Sequence, residues 1–100
     1  MKVIEIKESD FKEKIKGPKV LVDCYAEWCG PCKMLGPIIE ELASQTENCE
    51  FYKLNVDEAE EVTTEYGIMS IPTILYFENG ELKSKNVGFK TLEELKEIVD

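Results

Sequence analysis

Histidine and arginine are both absent from this chain, and no apolar run approaches the eighteen or so residues of a membrane span. Without histidine there is no imidazole general base and no histidine-containing metal site. All twelve basic residues are lysines, so the bidentate phosphate recognition that arginine provides is unavailable. The net charge of −9 would repel a phosphate backbone or an anionic bilayer, so neither nucleic acid nor membrane is expected as a partner. No linker, repeat or low-complexity tract interrupts the 100 residues, which read as one domain, 1–100, with room for a core of its own. The N-terminal residues Met1-Lys2-Val3-Ile4-Glu5-Ile6 alternate polar and apolar types, without the apolar region of a signal peptide. Four cysteines without an export signal point to a reducing compartment, and a cytoplasmic location is expected.

What the chain does have is Trp28-Cys29-Gly30-Pro31-Cys32-Lys33. Two cysteines three positions apart can close a small disulfide ring. The pair follows the apolar run Val20-Leu21-Val22-Asp23-Cys24-Tyr25-Ala26, which reads as a buried strand, and the spacing turns helical from Pro31 onward. Cys29 is therefore expected at a helix N-terminus, where unpaired N–H groups and the helix dipole favour a thiolate. The chemistry indicated is thiol–disulfide exchange, with a redox-active Cys29–Cys32 pair. A zinc or iron–sulfur site would need further ligands. Only Cys24, Cys49 and carboxylates could supply them, with no second Cys-x-x-Cys, so no metal and no cofactor is expected. Trp28, beside the nucleophile on a loop, reads as an apolar contact for incoming protein rather than as a core aromatic. Asp23 is either a solvated edge-strand carboxylate or a buried acid with a raised pKa; the apolar residues on both sides favour burial.

A coarse reading places the motif in an α/β chain of order βαβαβαββα. Val3 to Ile6 is a short strand. Ser9 is expected to cap a helix carrying Phe11 and Ile15, stopped by Gly17-Pro18. Lys19 to Ala26 is the central strand. Pro31 to about Gln45 is a helix with Met34, Leu35, Ile38, Ile39, Leu42 and Ala43 on one stripe, kinked by Pro37. Phe51 to Val56 is a strand, and an acidic helix runs from Asp57 to near Tyr66-Gly67. Thr73 to Phe77 and Glu81 to Val87 form a hairpin turned by Asn79-Gly80. Thr91 and Glu94 make a capping box for a last helix presenting Leu92, Leu95, Ile98 and Val99. The alternation implies parallel strands with helices on both faces of a mixed sheet, and the hairpin adds an antiparallel edge.

Val22-Asp23, Ala26-Glu27-Trp28-Cys29-Gly30-Pro31-Cys32-Lys33, Lys53-Leu54-Asn55-Val56-Asp57, Tyr66-Gly67-Ile68, Ile71-Pro72-Thr73, Asn79-Gly80 and Val87-Gly88 resemble the thioredoxin family in order and spacing. The resemblance covers essentially the whole chain and implies the thioredoxin fold. It further implies a dithiol that reduces disulfides in client proteins and is itself re-reduced by a thioredoxin reductase of unspecified type. In that scheme Cys29 is the nucleophile and Cys32 the resolving thiol. Asp23 is a buried proton acceptor and donor, and Lys53 tunes its charge. Ile71-Pro72 matches the family's cis-proline loop, and Trp28, Gly30, Pro31, Ile71, Pro72, Val87 and Gly88 form the substrate-binding rim. Phe89 is left open between rim and core. The resemblance carries a monomeric reading of the chain.

Cys24 and Tyr25 depart from the family, which usually has bulkier aromatics there, and Cys49 is an additional thiol. Strand alternation sends Cys24 to the face opposite Asp23, as an inert core residue. Cys49 lies in Glu47-Asn48-Cys49-Glu50, an acidic loop or strand start where carboxylates are expected to disfavour its thiolate.

Overall fold

The computed structural model describes residues 1–100. The elements are β1 (Val3–Glu5), α1 (Glu8–Lys14), β2 (Val20–Tyr25), α2 (Gly30–Ser44), β3 (Glu50–Asn55), α3 (Glu60–Glu65), β4 (Thr73–Glu78), β5 (Glu81–Val87) and α4 (Leu92–Val99), with a short 3-10 turn over Val56–Glu58. The order is the expected βαβαβαββα. The strands form one mixed sheet, β1-β3-β2-β4-β5. β1 and β2 pair parallel with β3, whereas β4 runs antiparallel to both β2 and β5. No helix is long and apolar enough to cross a membrane.

β2 is buried along its length except at Tyr25, because it has a hydrogen-bonded neighbour on each side and helices on each face. Its side chains alternate between two cores. Val20, Val22 and Cys24 face Phe11, Ile15, Val62, Leu75 and Phe77. Leu21 faces Leu35, Ile39, Leu42, Ile74, Leu95 and Val99. The α1/α3 core is pinned by Phe11, Tyr66 and Phe77, whose rings meet at 5.6 to 5.9 Å between centroids.

The local chemistry explains most boundaries. Asn79 (φ 54°) and Gly80 (φ 84°) adopt the two left-handed conformations of a two-residue hairpin turn. Beyond it the β4–β5 register shifts between Tyr76 and Phe77, a bulge at the sheet edge. Thr91 Oγ1 accepts from the Glu94 N–H at 3.2 Å, and Glu94 Oε1 accepts from the Thr91 N–H at 2.9 Å, completing the capping box. Leu95 and Val99 are buried beneath it, with Leu92 and Ile98 half-buried at the margin.

Three expectations about the helices require correction. The acidic helix does not start at Asp57: Val56–Glu58 is a 3-10 turn, Ala59 (φ −141°, ψ 56°) breaks it, and α3 covers only Glu60–Glu65. Ser9 does not cap α1; the helix begins at Glu8, with Lys7 at the cap position and no side-chain bond there. Glu8 and Asp10 instead place negative charge in the first turn, where the dipole favours it. Glu8 Oε2 also accepts the Val62 N–H at 2.8 Å, satisfying a first-turn donor of α3, which has no side-chain cap of its own. Met34 does not join the buried stripe of α2. It is 66% exposed, while Leu35, Ile39, Leu42 and Ala43 are buried. The apolar identity of Met34 satisfied the spacing, but its azimuth on the helix points to solvent. α2 runs through Pro37 as one helix.

Candidate active site

Cys29 occupies the N-cap of α2 with extended backbone (φ −89°, ψ 112°), and its Sγ accepts the Cys32 N–H at 3.2 Å. A sulfur at this position takes the place of the serine or aspartate oxygen that usually satisfies first-turn donors. Gly30 opens the helix and Pro31 sits in the first turn, where its missing N–H costs nothing. The Cys29 and Cys32 sulfurs are bonded to each other, with Cα atoms 5.2 Å apart. Both residues are buried, at 4% and 5% exposure, in a small cluster with Ala26, against which Tyr25, Val56 and Ile71 pack.

The Ile71–Pro72 peptide is cis, and the Ile71 carbonyl oxygen lies 3.8 Å from Cys29 Sγ. The Gly88 N–H donates to the Pro72 carbonyl at 2.8 Å, and Gly88 needs the left-handed conformation (φ 94°) that a glycine adopts freely. This bond ties Val87-Gly88 to the proline loop beside the sulfurs. Val87 is 49% and Phe89 40% exposed, so the open question at Phe89 resolves to the surface.

Trp28 is 70% exposed, consistent with the contact reading and against a core one. Its Nε1–H donates to Asp57 Oδ2 at 2.8 Å. Asp57 is a site residue that the sequence did not single out. It is positioned by Asn55, whose side-chain oxygen accepts the Asp57 N–H at 3.0 Å and turns the chain out of β3. Nothing in the acidic run Val56-Asp57-Glu58 distinguishes that carboxylate from its neighbours.

Asp23 is buried at 5% exposure. It lies on the α2/α4 face of β2, one pleat before Tyr25, which lines a shallow depression with Ala26, Glu27, Cys32 and Lys33. Oδ1 of Asp23 has no hydrogen-bond partner. Burial therefore pushes its pKa from 3.8 up to about 7, with Lys53 pulling in the opposite direction. Lys53 is the register partner of Asp23 across the parallel β2–β3 ladder, and its Nζ lies 5.8 Å from the centroid of the Tyr25 ring.

Cys24 is fully buried in the α1/α3 core, and burial, followed by the charge of Asp23, pushes its thiol far up. Cys49 is also buried, at 2% exposure. Its pKa is raised to about 11, mainly by burial. Glu50 makes only the smallest contribution and Lys19 opposes the shift. The main cause is thus corrected from neighbouring carboxylates to burial: Cys49 stands just before β3, as expected, but its side chain packs inward against the α2/α4 core. No group of three or more histidine, cysteine, aspartate or glutamate side chains is arranged to hold a metal ion.

A cysteine pair at a helix N-terminus, faced by a cis-proline loop on this mixed sheet, defines a protein thiol–disulfide oxidoreductase. The comparisons with known proteins agree with that chemistry. The thioredoxin family profile matches residues 2–100. The chain is 51% identical to a thioredoxin of Mycoplasmoides gallisepticum over 81 residues, 81% of each protein. It is 44% identical to a thioredoxin of Staphylococcus epidermidis over 101 aligned positions, covering 100% of this chain and 97% of the other. A mutant thioredoxin from Halobacterium salinarum NRC-1 superposes with a TM-score of 0.90 at 33% identity, covering 98% of this chain and 88% of that one. The chain belongs to the thioredoxin family. Membership implies client proteins that carry disulfides and a reductase partner.

Proposed function

We propose that this chain, acting as a single monomeric domain over residues 1–100, reduces client disulfides with Cys29 as nucleophile and Cys32 as resolving thiol. The observation that carries the assignment is the N-cap position of Cys29: its sulfur receives the Cys32 N–H at 3.2 Å. That donor and the positive end of the α2 dipole favour the thiolate there.

In the reduced protein the Cys29 thiolate attacks one sulfur of the client disulfide. The Cys29–client bond forms, the client S–S bond breaks, and one client thiolate leaves. Cys32 then loses its proton and attacks Cys29 Sγ. The Cys29–Cys32 bond seen in the structure forms, and the second client sulfur departs. Two electrons pass from the dithiol to the client, and a reductase of unspecified type restores them. No cofactor is needed, because both electrons reside in the sulfurs.

Asp23 takes the proton from Cys32 and returns it to a departing thiolate. Its support is a buried carboxyl with a free oxygen and a pKa near neutrality, suited to general acid–base work. Lys53 holds that pKa down. The client docks on Trp28, Gly30, Pro31, Ile71, Pro72, Val87 and Gly88, with the Ile71 carbonyl available to an extended client backbone. Neither nucleic acid nor a membrane takes part. Two further thiols kept free and buried fit a reducing cytoplasm.

Insulin reduction tests the assignment. Cys29→Ser is expected to abolish turnover, whereas Cys32→Ser should accumulate mixed disulfides, from which clients and the reductase can be identified. Alkylation of the reduced protein should label Cys29 ahead of Cys32; faster labelling of Cys32 would reverse the assignment.

A further inference from the structure

Met69 is the most exposed large apolar side chain in the molecule, at 95%, and it lies on a segment that is well tied down. The Ile68 N–H donates to the Thr63 carbonyl at 2.9 Å on one side of it. On the other side Thr73 Oγ1 donates to the Ser70 carbonyl at 2.6 Å. Lys85 Nζ donates to the Tyr66 and Gly67 carbonyls, at 3.1 and 2.8 Å. Met69 is therefore presented to solvent by a fixed loop, two residues before Ile71, whose carbonyl faces Cys29 Sγ. Met34, 66% exposed, lies four residues after Gly30 in α2 and so on the same helix face. Nothing stands within 4 Å of the point where a side chain on Gly30 would begin, which leaves that face open. Met69 lies two residues before Ile71 on the proline-loop side of the client rim and Met34 on the face of α2 that begins at Gly30, and their flexible thioethers suit contact with varied clients.

The other sulfurs of the disulfide form are poor targets for an oxidant. Cys29 and Cys32 are bonded to each other, and Cys24 and Cys49 are buried, with thiols that burial keeps protonated. The accessible sulfurs are those of Met34, Met69 and Met1, the last 50% exposed and placed by hydrogen bonds from its ammonium to the carbonyls of Ala43 and Thr46 at the far end of α2.

We propose that Met69 and Met34 are sites of modification by peroxide, and that their conversion to the sulfoxide weakens client docking; this rests on the docking surface assigned above. In the reaction the thioether sulfur attacks a peroxide oxygen. The S–O bond forms as the O–O bond breaks, and a proton shift releases water from hydrogen peroxide. The sulfur loses two electrons and the peroxide gains them. The product replaces a flexible apolar contact with a strongly polar S=O group, which resists burial against a client. Oxidative conditions would in this way lower the affinity for clients while the dithiol itself stays chemically intact.

The test treats the disulfide form of the full chain with hydrogen peroxide, removes the oxidant with catalase, and maps sulfoxide at each methionine by peptide mass. Insulin reduction with dithiothreitol as electron source is then measured across insulin concentrations. Expected are oxidation of Met34 and Met69 at least as fast as Met1, and a rise of roughly five-fold in KM for insulin with kcat held. A Met34→Leu, Met69→Leu protein, compared treated against untreated, should show no such rise even though its Met1 is oxidised. An unchanged KM after full oxidation of Met69, or an equal rise in the double-leucine protein, would overturn the proposal. An untreated parent inactive on insulin would instead overturn the catalytic reading beneath it.

Discussion

Asp23 and Lys53 stand opposite each other across the parallel β2–β3 ladder, yet they form no salt bridge and Asp23 Oδ1 has no partner at all. Had the two groups closed into an ion pair, the carboxyl would be held below its ordinary range. Burial dominates instead and carries the pKa to about 7, with Lys53 only moderating it. The unpaired acid is a cost to the fold, and in the proposed mechanism it is an asset to a site that moves one proton near neutral pH.

The pH dependence of stability follows from that shift. The unfolded chain releases the Asp23 proton near pH 4, whereas the folded protein holds it to about pH 7. The stability contribution is therefore fully present below pH 4, declines as pH rises toward 7, and stays level above it. The difference amounts to roughly 4 kcal/mol across the window. Asp23→Asn should remove this slope and be more stable than the parent at pH 8, by roughly 1–3 kcal/mol. It should also reduce insulin more slowly. Urea denaturation of both proteins between pH 4 and 8 checks the first half. A variant less stable at pH 8 and equally fast would mean that Asp23 neither carries the penalty nor moves the proton.

Lys53→Met removes the one charge that holds the Asp23 pKa down. The carboxyl should then titrate at a higher pH than in the parent, and the decline in stability should extend upward with it. Carbon-13 NMR of the aspartate carboxyls gives the titration directly. An unchanged midpoint would remove Lys53 from the site.

Asp57→Ala takes away the hydrogen-bond acceptor of the Trp28 indole. Both groups lie at the surface, so stability should change by no more than about 0.5 kcal/mol. Trp28 is the only tryptophan, so its fluorescence reports the altered environment without interference. KM for insulin should rise by roughly two- to five-fold as the ring loses its fixed orientation. Unaltered fluorescence and KM would show that the bond does not hold the ring in solution.

Cys24→Ala and Cys49→Ala each delete a buried sulfur, from opposite sides of the sheet. Each should cost roughly 1–2 kcal/mol in stability and leave insulin turnover within a few-fold of the parent. Iodoacetamide should label neither thiol until denaturant opens the core. Loss of most activity in a folded Cys49→Ala protein would give that thiol a role in turnover.

Motif and period carried much of this molecule. Cys29 at the cap of α2, Thr91 with Glu94, the Asn79-Gly80 turn and the two faces of β2 all rest on interactions within a few residues or on strict alternation, and each appears in the structure. The misreadings concern choices made by distant partners. Ser9 has the chemistry of a cap, but the start of α1 is set where Glu8 can reach Val62, 54 residues away. Met34 fits an apolar stripe by type, and only the packing of α2 on the sheet shows that its angle misses the core. Asp57 is one acid among several until Trp28 selects it. The acidic neighbours of Cys49 suggest a carboxylate cause for its raised pKa, whereas burial among residues far along the chain is the largest one.

The alternation along β2 makes the sheet a bulkhead between two compartments. Asp23 opens onto the side that holds the reactive helix, and Cys24, its immediate neighbour, opens onto the other. A single peptide bond thus joins a buried carboxyl on one side of the sheet to a buried thiol on the other. Residues on the α1/α3 side are held to filling their volume, and Cys24 among them still feels the carboxyl across the strand, since the charge of Asp23 helps to raise its thiol pKa. The departure at Cys24 lies on the face of β2 turned away from the reactive helix, in the core with Phe11, Leu75 and Phe77.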